Sequence, residues 1–237
     1  MLRHVAVLAL DTSAAVAVAL VGDDGAPLAS RSVLEHRRHA ELLAPMITDV
    51  LADARVNLSA VTAVVAGTGP APFTGLRVGL VTARALALVI GVPVHGVCSL
   101  DAIAAQALRD LALAVGSEVL VVTDARRREV YWARYRVTGV GSVRVVELCA
   151  GPEVATAAAV AAERAEGAVV VGRGATLYPV DLPICTGAPL DPDPVELAHL
   201  ALDRLAISPP GTRLPTEPLY LRRPDAVPTA ERMRALG

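Results

Sequence analysis

The chain has 237 residues with a formal net charge of −2 at neutral pH, and it contains arginine but no lysine. This length suits one large domain or two lobes of roughly 100 residues each, and we expect two lobes. The nearly neutral charge gives no overall basic surface for nucleic acid, and the wide spacing of Cys98, Cys149 and Cys185 excludes a CxxC zinc motif and a disulfide framework, which favours a cytoplasmic protein.

A β-hairpin is the first predicted element. Residues 5–10 form an apolar run that Asp11 ends after six residues, which predicts a buried strand and not a signal peptide. Asp11, Thr12 and Ser13 are turn-forming residues, and residues 15–21 are apolar again. Such a turn either is a simple Asx turn, the commoner arrangement, or binds phosphate or a metal through its carboxylate, hydroxyl and amide groups.

Two helices follow. In residues 35–54 apolar side chains recur at helical spacing, and Pro45 predicts a kink or a later start. Residues 73–90 form the second helix, for which Gly91 is a suitable C-terminal cap. Small residues spaced by four could pack closely against the protein's own core or against a partner helix, and both alternatives stay open here. They are Gly75, Gly79, Ala83 and Ala87.

The loop before the second helix, residues 67–75, is rich in glycine. Free amides at a helix start can bind an anion, but the loop lacks the GK[ST] ending of a P-loop and the GxGxxG spacing, so close backbone packing is the simpler interpretation. The helix itself carries Arg77 and Arg84 and stops at Gly91, so we expect it to be too short and too charged to span a membrane.

The second half of the chain repeats the opening pattern. Before this repeat, the sequence predicts short strands at 61–66 and 92–97 and a helix at 100–113 that could bridge the lobes. Residues 119–123 and 130–137 then repeat the order of strand, Asp-led turn and strand. This repetition predicts an α/β protein with two similar lobes, each a mixed sheet flanked by helices, although two hairpins can also resemble each other by chance.

Three further elements complete the predicted order. We expect a helix at 155–164, a strand at 168–172 and a helix at 195–207 that packs back on the first lobe. The predicted units are an N-terminal lobe at 1–100, a C-terminal lobe at 101–208, and an extended Pro-rich tail at 209–237.

Other candidate sites are weaker. His36 and His39 could face one metal, but no third ligand stands at a diagnostic spacing, so a solvated helix start is expected. The three arginines at 126–128 could contact carboxylate or phosphate, or could form an exposed hairpin tip with internal ion pairs. A turn at 172–175 follows a strand but is too common a pattern to assign, and no Ser/His/Asp or HExxH arrangement occurs.

Five segments resemble, in order, the motifs of the TsaB (YeaZ) family, and the resemblance covers nearly the whole chain. They are LALDTS at 8–13, GTGPAPFTGLRVGL at 67–80, GVPVHGVCSLD at 91–101, DARRREVY at 124–131 and PLYLRRPD at 218–225. The second segment is the most specific, although Ala71 and Pro72 stand where the family usually has Gly and Ser.

The resemblance implies the two-lobed fold of the actin-like ATPases, also called the ASKHA fold. It also implies a non-catalytic subunit of the complex that adds threonylcarbamoyl to N6 of adenosine next to the anticodon, in tRNAs reading codons that start with A. The expected partners are the transferase TsaD, which holds the metal, and the ATPase TsaE. No catalytic residue, metal or cofactor is then expected in this chain, and tRNA is contacted only indirectly.

The resemblance further implies that the helices at 35–54 and 73–90 pack on those of TsaD, or on a second copy when the chain is alone. It favours the partner alternative for the row of small residues. The expected contact residues are Leu42, Met46, Thr74, Leu76, Arg77, Leu80, Val81 and Arg84.

Three other functions stay open. The chain could be an active phosphotransferase or ATPase that uses Asp11, Thr12 and residues 172–175 around a magnesium nucleotide. It could be a metallopeptidase, or a stand-alone homodimer with an unrelated partner.

Overall fold

The computed structural model describes residues 6–35, 38–139 and 145–222. A five-stranded sheet has the order β3-β2-β1-β4-β5, in which β1 pairs antiparallel with β2 and parallel with β4. Residues in β1 and β2 are buried throughout, because both faces of the sheet are covered. The strands are β1 (Ala6–Asp11), β2 (Val16–Gly22), β3 (Pro27–Val33), β4 (Val61–Gly67) and β5 (Val94–Val97).

A second sheet repeats this topology. Its order is β8-β7-β6-β9, with antiparallel pairs β6–β7 and β7–β8 and the parallel pair β6–β9. The two sheets therefore share the pattern of a hairpin, a third antiparallel strand and a parallel strand, which confirms the predicted duplication. The strands are β6 (Glu118–Asp124), β7 (Glu129–Gly139), β8 (Val145–Thr156) and β9 (Val169–Val171).

Helices flank both sheets. The second helix has the bounds that the sequence predicts, and Gly91 ends it in the left-handed conformation with a φ of 73°. The helices are α1 (His39–Asp53), α2 (Phe73–Ile90), α3 (Ser99–Asp110), α4 (Ala157–Ala162), α5 (Arg173–Leu177) and α6 (Pro194–Ala206), with a 3-10 turn at Leu58–Ala60.

Some boundaries differ from the sequence predictions. The first helix begins at His39 and not near residue 35, and it continues through Pro45. Strand β3 was not predicted, because it is an edge strand with mostly exposed residues and shows no alternation of buried and exposed positions. Strand β8 was also missed; the pair Gly151 and Pro152 lies where its pairing with β7 is irregular.

Helix α3 lies between the two sheets and contributes to both cores. Ala102 and Ala105 pack with the first sheet and α6. The opposite face packs with the second sheet through Leu100, Ile103, Ala104, Ala107 and Leu108. Because α3 is apolar on two sides, one side packs on each sheet, and the helix connects the two lobes.

Polar contacts fix α3 to its neighbours. The Asp101 carboxylate accepts hydrogen bonds from the hydroxyl of Tyr135 on β7 at 2.7 Å and from the guanidinium of Arg204 on α6 at 2.6 Å. Arg109 forms an ion pair with Glu196, which is buried. Helix α6 therefore packs on the first sheet although the chain reaches it only after the second sheet.

Candidate functional site

An interlobe cleft of about 250 Å³ lies between the carboxyl ends of the two hairpin-leading strands. Thr12, Ser13, Thr74 and Gly75 line it from the first lobe, and Thr123, Asp124, Arg126 and Arg173 line it from the second lobe. His39 also lines the cleft. The first-hairpin turn and the start of α2 thus meet at one place.

The Asp11 carboxylate is buried beside this cleft and accepts hydrogen bonds from Ser13 and Ser99. One of its oxygens accepts from the amide and the hydroxyl of Ser13, at 2.7 and 2.5 Å. The other accepts from the Ser99 hydroxyl at 2.6 Å. Burial raises the pKa of Asp11, and the hydrogen bonds from Ser13 and Ser99 act in the opposite direction. The hydrogen bond from the Ser13 amide to the Asp11 carboxylate makes this turn an Asx turn.

Thr12 joins the hairpin turn to α2. Its hydroxyl donates to the Gly75 carbonyl at 2.8 Å and accepts from the Gly79 amide at 3.1 Å. A Cβ atom at Gly79 would stand 2.4 Å from the Thr12 hydroxyl oxygen, so a side chain there would displace it. The Thr12 hydroxyl thus occupies the space that a side chain at position 79 would fill.

The arginines of the cleft have carboxylate partners in the second lobe. Arg126 pairs with Asp124 at 2.9 Å, and its backbone amide donates to the same carboxylate at 2.7 Å. Arg173 forms a two-pronged ion pair with Asp191. Both arginines therefore have a carboxylate partner, and the Arg126 pair lies within the hairpin tip, as in the alternative of an exposed tip with internal ion pairs.

The hairpin tip between β6 and β7 has an uncommon backbone. Arg126, Arg127 and Arg128 adopt positive φ values of 65°, 51° and 64°. Non-glycine residues rarely adopt this conformation, at a cost on the order of 1 kcal/mol each. The bonds to the Asp124 carboxylate help to hold the tip in this shape.

The glycines at 172–175 have a packing role. A Cβ atom at Gly172 would stand 2.2 Å from the Val122 carbonyl, and one at Gly174 would stand 2.9 Å from the backbone of Thr123. Helix α5 can therefore approach β6 closely only because these residues lack side chains.

The row of small residues on α2 faces the protein's own sheet, which corrects the expectation that a partner helix packs on it. Gly79, Ala83 and Ala87 are buried; Ala83 and Ala87 belong to the core of the first lobe, and Gly79 lies against Leu10 and Thr12. Met46, Leu76 and Leu80 belong to the same core. These three residues were expected to contact a partner, but inside the folded lobe they have almost no exposed surface.

The opposite face of α2 is exposed. Its apolar members Val81, Leu88 and Val89 are 62%, 83% and 81% exposed. Thr74, Arg77 and Arg84 are exposed on the same helix, and Leu42 of α1 is half-buried beside it. The Arg77 guanidinium lies 4.5 Å from the centre of the Phe73 ring, and Arg84 donates to the Thr216 carbonyl at 2.8 Å. This set of residues is called the α2 face below.

By length and mean hydropathy (1.6), α2 could also cross a membrane, which the sequence reasoning did not expect. A core helix of a soluble protein meets the same criterion, and α2 packs one side on the first sheet while carrying two arginines on the other. In the described part of the chain, no three His, Cys, Asp or Glu side chains are grouped to hold a metal ion. His36, half of the pair that the sequence singled out, lies outside the described residues.

Comparison with known proteins identifies a family. The sequence model described as "TsaD: tRNA N6-adenosine threonylcarbamoyltransferase" matches residues 33–170. An uncharacterized protein of Mycobacterium leprae is 43% identical over 226 residues, which are 94% of this chain and 56% of that protein. This chain thus spans little more than half of that relative, whereas it covers 95% of a Mycobacterium bovis protein that is 41% identical.

Named relatives agree with the motifs. The Escherichia coli tRNA threonylcarbamoyladenosine biosynthesis protein TsaB is 35% identical over 130 residues, or 55% of this chain and 54% of that protein. The structure of YeaZ from Pseudomonas aeruginosa superposes with a TM-score of 0.75 at 33% identity, and covers 91% of this chain and 99% of that one. The close structural match and the duplicated sheets confirm the two-lobed actin-like (ASKHA) fold. The chain belongs to the TsaB (YeaZ) family.

Proposed function

We propose that this chain is a non-catalytic subunit of the complex that adds threonylcarbamoyl to N6 of adenosine next to the anticodon, in tRNAs reading codons that start with A. It pairs with TsaD and TsaE in the cytoplasm and forms a homodimer when alone. ATP and metal belong to those partners, and tRNA is contacted through the complex. The α2 face is the observation that carries this proposal.

Exposed apolar side chains grouped on one helix favour a protein interface. Val81, Leu88 and Val89 lie in water in the isolated chain, and covering them with a partner would remove apolar surface from water. Arg77 and Arg84 at the same face supply the polar contacts that frame such a surface. With Leu42 of the neighbouring α1, two helices are available to form a helical bundle with two helices of TsaD.

The proposed contact set is accordingly smaller than the sequence suggested. It retains Leu42, Thr74, Arg77, Val81 and Arg84 and adds Leu88 and Val89. It omits the three core residues described above.

The internal bonding of the hairpin turn supports a non-catalytic role. A group that binds a magnesium nucleotide must offer lone pairs or protons to the ligand. Asp11 and Thr12 use theirs within the chain, on Ser13, Ser99 and α2. A ligand at this turn would have to compete with these hydrogen bonds.

The interlobe cleft favours a second candidate, an ATP-using phosphotransferase or ATPase. The start of α2 points its helix dipole toward the cleft, and Arg126 and Arg173 lie at its rim. We rank this candidate second because both arginines are already paired with carboxylates.

One reconstitution separates the two candidates. Threonylcarbamoyl transfer to unmodified tRNA is measured with TsaD, TsaE and the enzyme that makes the adenylate, with and without this chain, and ATP turnover is measured for the chain alone. We expect transfer to require the chain and the chain alone to be inactive. ATP hydrolysis by the chain, with transfer indifferent to its presence, would replace the proposal by the second candidate.

A further inference from the structure

The C-terminal segment 212–222 lies directly on the first lobe. The Gly96 amide donates to the Leu214 carbonyl at 3.2 Å, and the Leu214 amide donates to the His95 ring at 3.3 Å. A Cβ atom at Gly96 would stand only 2.0 Å from the Pro215 carbonyl oxygen. The segment therefore fits against β5 only because glycine stands at position 96.

The same segment continues past the start of α2. Thr216 accepts hydrogen bonds from the Arg84 guanidinium at its carbonyl and its hydroxyl, at 2.8 and 2.9 Å. The Leu219 amide donates to the Thr68 carbonyl at 2.9 Å. The ring of Tyr220 lies 5.0 Å from that of Phe73. The segment is thus bonded to the first lobe at several successive points.

Arg222 then reaches the second lobe. Its guanidinium donates to the Ala125 carbonyl at 2.5 Å and pairs with the Glu129 carboxylate at 2.7 Å. Ala125 lies in the turn that joins β6 and β7, and Glu129 is the first residue of β7. A planar guanidinium can serve a carbonyl and a carboxylate at once, and its partial burial reduces screening by salt.

These contacts flank the interlobe cleft. Thr68 precedes Pro70, which lines the cleft from the first lobe, and Ala125 lies between the cleft residues Asp124 and Arg126. Helix α3 joins the lobes through its packing with both sheets. Opening the cleft about α3 would stretch the segment between Thr68 and the turn, so the Arg222 contacts must break first.

We propose that segment 212–222 is a clamp that fixes the opening of the interlobe cleft, with Arg222 as the residue that closes it. The clamp shares Arg84 with the α2 face, whereas Arg222 lies outside that face, so substitutions of Arg222 test the clamp without changing a residue of the proposed pairing surface. It would hold the two lobes at one angle in the isolated chain.

The test measures the interlobe distance by double electron–electron resonance of spin labels. One label is on the exposed Cys149 of β8, and the other is on Thr48→Cys of α1, in a background with Cys98→Ala and Cys185→Ala. We expect a single narrow distance distribution, which Arg222→Ala broadens toward longer distances. Arg213→Ala, an exposed arginine of the same segment, is the matched control and should leave the distribution narrow.

A second variant covers the case in which Arg222→Ala does not fold. Glu129→Gln removes the ion pair but keeps the Ala125 contact, so it should broaden the distribution less than Arg222→Ala. Amide exchange in residues 124–130 should rise about tenfold in Arg222→Ala, the change expected for loss of one charge-assisted hydrogen bond. Faster exchange without any change in the distance distribution would mean a purely local contact and would overturn the clamp.

Discussion

The Ser99 hydroxyl donates a 2.6 Å hydrogen bond to the Asp11 carboxylate, and this bond joins the start of α3 to the end of β1. The same hydroxyl accepts from the Gly69 amide at 3.2 Å. Three segments that are distant in sequence thus meet at one buried oxygen atom. Gly67 is part of the arrangement, because a Cβ atom there would stand 1.8 Å from the Asp11 carboxylate.

Ser99→Ala should lower the free energy of unfolding by about 2 kcal/mol, since it removes the hydrogen bond to one oxygen of the buried Asp11 carboxylate and the acceptor of the Gly69 amide. Urea denaturation measures the change. Ser32→Ala, on the exposed edge strand β3, is the matched control and should change stability by less than about 0.5 kcal/mol. Equal effects of the two substitutions would contradict this account of the network.

Asp11 should also make stability depend on pH. Burial raises its pKa in the folded chain, so the folded state retains a proton that the unfolded state releases as the pH rises above about 4. The contribution of Asp11 to the free energy of unfolding is therefore greatest at low pH and is lost as the pH rises through the raised pKa. Asp11→Asn removes this titration, and its stability relative to the unsubstituted chain should increase as the pH rises above about 4. A stability difference that is constant with pH would show that Asp11 has no raised pKa.

Thr12→Val should destabilise the first lobe. The substitution keeps the shape of the side chain but removes the hydroxyl that donates to the Gly75 carbonyl and accepts from the Gly79 amide, which should cost about 1 kcal/mol. Thr82→Val, on the same helix and only partly buried, is the control. Thermal and urea unfolding of both variants measure the difference, and a Thr12→Val variant as stable as its control would argue against the bond.

Gly79→Ala should lower stability by about 1–3 kcal/mol, because its methyl group would overlap the Thr12 hydroxyl. A larger residue such as leucine should prevent the lobe from folding, and not merely weaken pairing as a partner-facing row would predict. Thr12→Ala makes room for the methyl group, so a double-mutant cycle should give a favourable coupling between the two changes. Additive effects would mean that the two residues do not share this space.

The sequence predicted the bounds of α2 because its end carries a local signal. Gly91 adopts the left-handed conformation that glycine favours, and Pro93 prevents continuation of the helix. The duplicated hairpins were predictable for a similar reason, since fully buried strands are continuous apolar runs. Edge strand β3 lacks such a signal, because its residues are mostly exposed.

The orientation of α2 was harder to predict than its existence. A row of small residues allows close approach of a backbone, but spacing alone does not say whose backbone approaches. The Thr12 hydroxyl selects the protein's own hairpin by bonding to Gly75 and Gly79, and this contact spans more than 60 positions of sequence. The spacing of residues within one helix does not indicate a contact with a residue so distant in sequence.

Val81→Glu should leave the chain folded and weaken its pairing with TsaD, or with a second copy, by about tenfold or more, because a charge would be buried in an apolar interface without a partner. Light scattering with calorimetry measures pairing, and the tRNA transfer assay measures its consequence. Val180→Glu is the matched control, since Val180 is even more exposed but lies in the second lobe. If both variants pair as tightly as the unsubstituted chain, the α2 face is not the docking surface; if both weaken pairing equally, the interface extends to the second lobe.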